Sequence, residues 1–119
     1  MKPTTQPGAP TDAALAQAMD DLWARFLPDI RAHVSDLEAA AQAVSEGKLT
    51  ATQREAAQSA AHKLAGVLGT FGLMHGTALA RELELTFAPE SSLGRNAGAK
   101  LAETVTALRS MIGSRKPSA

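Results

Sequence analysis

Residues 52–72 read TQREAAQSAAHKLAGVLGTFG, and the spacing of their apolar side chains decides what kind of fold the chain builds. On a helix that advances about 100° per residue, Ala57, Ala60, Ala61, Leu64, Val67, Leu68 and Phe71 gather on one broad side. Steps of three and four residues are those of an amphipathic helix that buries one face against other helices. Thr52-Gln53-Arg54-Glu55 fits the capping-box pattern at its start, and Gly72 closes it.

The same periodicity extends outward in both directions. Upstream, Trp23, Phe26 or Leu27, Ile30, Val34, Leu37, Ala41 and Val44 form a bundle seam that ends near Ser45-Glu46-Gly47. Before it, an amphipathic segment starts at Thr11 or Asp12, either a suitable cap, and runs through Leu15, Met19 and Leu22 towards Phe26. Pro28 removes a backbone donor and crowds the carbonyl of Ala24, which predicts a short first helix and a long second one. Downstream, a helix opens around His75 to Thr77, carries Leu79, Leu83 and Phe87, and stops at Pro89. The last begins at Ser91 or Ser92 and carries Leu101, Val105, Leu108 and Ile112. Short connections make neighbours antiparallel, so the expected fold is all-α: an antiparallel up-and-down four-helix bundle with an additional short N-terminal helix. Residues 1–11 are expected to form a flexible arm, 12–113 the bundle domain and 114–119 a flexible tail. Trp23, Phe26, Phe71 and Phe87 fall on the apolar stripes and are assigned to the core.

Composition narrows the function. A chain of 119 residues with 45% hydrophobic content suits one domain with one core. Cysteine is absent, which removes disulfides, zinc-thiolate clusters and thiol catalysis. Twelve basic residues balance twelve acidic ones, which argues against a nucleic-acid surface or a polybasic membrane anchor and leaves a protein as partner. No run approaches the roughly 18 apolar residues of a membrane span, and MKPTTQPGAPTD lacks the apolar stretch of a signal peptide. A cytoplasmic monomer is the expectation.

Chemistry must come from few groups. The histidines are His33, His62 and His75, with neither the four-residue spacing of a helical zinc pair nor a glutamate three residues before any of them, so no metal site is assigned. No nucleophile elbow or phosphate-binding glycine loop is present. His62 lies opposite the apolar stripe of its helix and should face water, ringed by Glu55, Gln58, Ser59, Ala65, Gly66 and Gly69. Glycine inside a helix costs roughly 0.8 to 1 kcal/mol relative to alanine. Gly66 and Gly69 therefore either let another helix pack closely or clear space for a docking protein, and because they cluster with His62 and away from the apolar stripe, docking is the preferred reading. An imidazole, with an ordinary pKa of about 6.5, can act as a nucleophile near neutral pH without a dedicated base. Such a residue can take a phosphoryl group from an acyl phosphate and yield it to a second partner. His33 and His75 lack such surroundings and are given no role.

The segment Ala61-His62-Lys63-Leu64-Ala65-Gly66-Val67-Leu68-Gly69-Thr70-Phe71-Gly72-Leu73, continuing to Leu79-Ala80-Arg81-Glu82-Leu83-Glu84, resembles the signature of the histidine-containing phosphotransfer (HPt) domain family. That pattern has an alanine and the histidine, leucine two and glycine four residues later, another glycine at ten, and a following helix ending in leucine and glutamate. All are met here. The resemblance implies that His62 is the phosphoacceptor of a two-component phosphorelay and that Gly66 keeps its approach open. It implies receiver domains of response regulators and hybrid histidine kinases as partners. The chain would then be a phosphocarrier with no ATP site and no cofactor of its own, the magnesium belonging to the receiver. Gln58, Ser59, Lys63, Ala65, Gly66 and Gly69 are the expected docking and phosphate surroundings, with Arg54 and Arg81 as further rim candidates. The chain departs from the family at Ala65 and Val67, where lysine and serine are frequent. Those departures are the support for an alternative, a degenerate docking module that binds a receiver without transfer. A third reading is an unrelated helical adaptor.

Overall fold

A computed structural model of the chain describes residues 11–94 and 96–115. It contains α1 (Asp12–Ser45), α2 (Ala51–Thr70), α3 (Met74–Thr86) and α4 (Ala97–Gly113), with no strand among the described residues. Each helix packs on its neighbours in chain order, and α4 closes the ring against α1. This is the all-α up-and-down bundle that the periodicity implies.

The core is built from the apolar stripes. Ile30 and Leu37 of α1, Leu64 and Leu68 of α2, Leu83 of α3, Val105 and Leu108 of α4, and Phe87 just past α3 are its largest fully buried side chains. On α2, Ala57, Ala60, Ala61 and Ala65 are buried as well, so small side chains let the helices on both flanks approach closely. None of the described helices is long and apolar enough to cross a membrane.

Several local expectations change. The short N-terminal helix is helical but not separate: it continues through Pro28 into a single 34-residue α1. Pro28 and Ala24 are both exposed, so water can reach the carbonyl that the proline leaves without its usual donor. Trp23 and Ile30, buried on either side, hold the two halves in one line. The capping box belongs to Thr50 and Gln53, two residues before the expected one: Gln53 N–H donates to Thr50 Oγ1 at 3.0 Å, and Thr50 N–H to Gln53 Oε1 at 3.0 Å. Thr50→Ala is accordingly expected to lower stability by about 1 kcal/mol, measured as a shift in the urea midpoint, whereas Thr52→Ala should leave it nearly unchanged.

Helix α4 starts at Ala97 rather than at Ser91 or Ser92. The Ser91 carbonyl, which would accept the first hydrogen bond of a helix capped there, is instead engaged by the half-buried Arg54 guanidinium, which also donates to the carbonyl oxygens of Phe87 and Ala88. Arg54 is therefore a clamp on the α3–α4 connection and leaves the docking rim. Gly98 then seats α4 against α1, since a Cβ there would overlap Ser45.

The ends are tied down further than expected. Thr11, assigned to the arm, caps α1 by accepting the Ala14 N–H at 3.0 Å. Arg115, assigned to the tail, pairs with Asp20 at 3.2 Å and lies over the rings of Trp23 and Phe71. The remainder of both segments, residues 1–10 and 116–119, lies outside the described residues. Trp23 and Phe87 are core residues, but Phe71 is half-buried and Phe26 is exposed, edge-on to Phe71 with centroids 6.3 Å apart.

Candidate functional site

The site is assembled by the turn between α2 and α3. Gly72 takes a left-handed φ of 73°, and the chain reverses there with Leu73 N–H donating to Leu68 O at 2.9 Å and Gly72 N–H to Gly69 O at 3.0 Å. These bonds satisfy the last carbonyls of α2, and a side chain at Gly72 would strain them. The reversal sets the register of the pair. Residues equally distant from Leu73 on the two helices come opposite one another: Gly69 opposite Thr77, and His62 opposite Glu84.

His62 stands on the outer edge of α2 with its side chain 72% exposed, while Glu84, opposite it on α3, is more covered at 27%. Their contact is direct, with His62 Nδ1 lying 2.8 Å from Glu84 Oε2. A carboxylate can only accept, so the pairing places the proton on Nδ1 and makes that N–H the donor. Nε2 then keeps its lone pair and points away from Glu84. In the neutral ring this pairing leaves Nε2 as the nitrogen with an available lone pair.

The expected surroundings of His62 divide into those that share its surface and those that do not. Ser59, Lys63 and Gly66 are exposed and Gln58 is half-buried. Above Gly66, a Cβ would meet nothing within 4 Å, so the approach one turn beyond His62 is open. Ala65 does not belong to that surface: it is buried at 3%, and its carbonyl accepts the Thr77 Oγ1–H at 3.1 Å. Gly69 is likewise turned to α3, where a Cβ would sit 3.4 Å from Thr77 Oγ1. Gly69 thus serves the packing of α2 on α3, and Gly66 alone of the two leaves free space at the surface.

Glu84 was not singled out as a site residue from the sequence, although it closes the motif. Its signal lies in the turn: with the reversal centred on Leu73, the residue as far beyond it as His62 lies before it is Glu84. Arg81, one turn before Glu84 on α3, is exposed and makes no hydrogen bond or ion pair among the described residues. His33 is half-buried and His75 exposed, each on a different helix from His62.

Residues 21–114 match the family model described as Hpt domain. The chain is 32% identical over 94 residues, 79% of its length, to Protein RcaC of Microchaete diplosiphon. It spans only 14% of that relative. No solved structure matches.

Proposed function

The chain belongs to the Hpt domain family, whose members are phosphocarrier modules of phosphorelays, and on that premise we propose that His62 is its phosphoacceptor and that its partners are receiver domains. The observation that carries the reading is the His62–Glu84 pair, with Nδ1 held by a carboxylate and Nε2 free in an open surface.

The chemistry follows from that pair. Nε2 attacks the phosphorus of a receiver's aspartyl phosphate; the Nε2–P bond forms as the P–O bond to aspartate breaks, and the aspartate leaves as carboxylate. The Nδ1 proton stays on the ring, so the phosphorylated imidazole is cationic, and Glu84 faces it as counter-charge across a charge-assisted hydrogen bond. Glu84 acts here as a positioning residue. It selects the tautomer, orients the ring and steadies the positive charge that develops during attack. Transfer onward is the same step reversed against a second aspartate. The magnesium expected on the receiver offsets charge on the phosphoryl oxygens; the chain itself supplies nucleophile, orientation and access.

The test is transfer from a radiolabelled phospho-receiver to the purified chain, followed by acid and alkali treatment of the product. A label that is acid-labile and alkali-stable, with the ³¹P signature of the Nε2 isomer, is expected. An alkali-labile label would point to a carboxylate acceptor and end the proposal. Stable binding of a receiver with no transfer from any of a complete set would favour the docking module instead.

A further inference from the structure

We infer that Arg81 is the cation that holds the phosphoryl group on His62, a deepening of the reading in which His62 is the phosphoacceptor. A phosphoryl group brings about two negative charges to the ring, and it arrives beside a carboxylate that already lies 2.8 Å from that ring. Like charges a few ångströms apart raise the cost of the phosphorylated state. A cation on the same edge offsets it.

Helix α2 offers little. Ala65 is buried and Gly66 has no side chain, while Lys63 follows His62 directly, and consecutive residues on a helix do not face one another. Helix α3 does better. Thr77, Arg81 and Glu84 follow at helical steps along one edge of α3; Thr77 reaches α2 through the Ala65 carbonyl at 3.1 Å and Glu84 through His62 itself. Arg81 stands between these two contacts, on the edge that lies along the His62 side of α2. It is exposed, and no carboxylate or carbonyl among the described residues engages it. Arg54, Arg109 and Arg115, by contrast, are each bound to an oxygen. Nothing lies within 4 Å of a Cβ at Gly66, one turn beyond His62, which leaves the Arg81 guanidinium room to reach phosphoryl oxygens and grip two of them with its planar fork.

A small phosphodonor separates this role from receiver docking. With phosphoramidate, the donor's N–P bond breaks as the Nε2–P bond forms, ammonia leaves, and the Nδ1 proton remains with the ring. Labelling of the full chain is followed by ³¹P NMR in wild type, Arg81→Gln, Arg81→Lys, Lys63→Gln and His62→Gln, with folding checked by thermal melts. Arg81→Gln is expected to slow phosphorylation and shorten the phosphohistidine lifetime by roughly three- to tenfold, the range of a partly exposed charge-assisted contact. Arg81→Lys should recover part of that loss, and Lys63→Gln should cost less than Arg81→Gln. The Arg81 Nε–H signal in ¹H–¹⁵N spectra should shift on phosphorylation, and that of Arg109 should not. Unchanged rate and lifetime in Arg81→Gln, or a larger loss in Lys63→Gln than in Arg81→Gln, overturn the assignment while leaving His62 in place. No label on the wild-type chain, or a label that survives in His62→Gln, overturns both.

Discussion

His62→Gln is expected to accept no measurable phosphoryl group from a phospho-receiver, a fall of at least about a thousandfold, while folding as the wild type does. The glutamine amide nitrogen has no available lone pair, so it can imitate the shape of the imidazole and even donate to Glu84 but cannot attack phosphorus. Stability should stay within about 0.5 kcal/mol, because the side chain is 72% exposed, glutamine is a good helix former, and an exposed ion pair contributes little. His33→Gln serves as the control and should transfer normally, since His33 lies on α1 and not on the α2–α3 pair that carries His62 and Glu84. Transfer that persists in His62→Gln and vanishes in His33→Gln would reassign the site outright.

Gly66→Phe is the second large effect, and it should separate docking from chemistry. No atom lies within 4 Å of a Cβ at this position, and Gly66 sits in a regular helix without a left-handed φ. Replacing the glycine should therefore stabilise the chain slightly, by roughly 0.3 kcal/mol, because phenylalanine is a somewhat better helix former than glycine. The new ring stands where a receiver must come to bring its aspartate to Nε2. A displacement of about 1 Å in a reacting pair can cost on the order of a hundredfold in rate, and that is the loss expected for receiver-driven transfer. Labelling by phosphoramidate, which needs no docking, should fall only a few fold. If receiver-driven transfer is undisturbed, the receiver does not approach over Gly66.

The parts of this fold that were legible in the sequence are those fixed by local periodicity. Alanine and leucine at helical spacing on α2 placed its buried face correctly, and His62 faces solvent because it lies opposite that face. The misreadings arise where a local rule met a tertiary constraint. Proline costs a helix about 3 kcal/mol, yet Trp23 and Ile30 pack on either side of Pro28 and carry α1 through it. Thr50 and Thr52 each have a suitable residue three positions on, so the capping pattern occurs twice and sequence alone does not choose between them. Ala65 was placed on the open surface because a helical wheel shows one apolar face, whereas α2 is flanked by two helices and α3 covers the edge that holds Ala65.

The site itself was half visible. His62 and Gly66 carry their meaning within one helix; Glu84 acquires its own only when α3 folds back, because its partner is 22 residues away. Arg54 shows the converse. It looks like a surface cation in the sequence, and only the fold brings to it the carbonyls it binds, 33 and more residues later.

That Arg54 clamp bears on more than the connection it holds. On one side of the His62–Glu84 pair, Arg54 of α2 is fastened to the Phe87 and Ala88 carbonyls at the end of α3; on the other, Thr77 of α3 is fastened to the Ala65 carbonyl of α2. The two helices are thus pinned to each other through main-chain oxygens above and below the His62 ring, as the jaws of a calliper are set by screws outside the gap. The opening between imidazole and carboxylate is in this sense a dimension of the frame, and changes to residues that never touch a phosphoryl group can alter how tightly the module holds one.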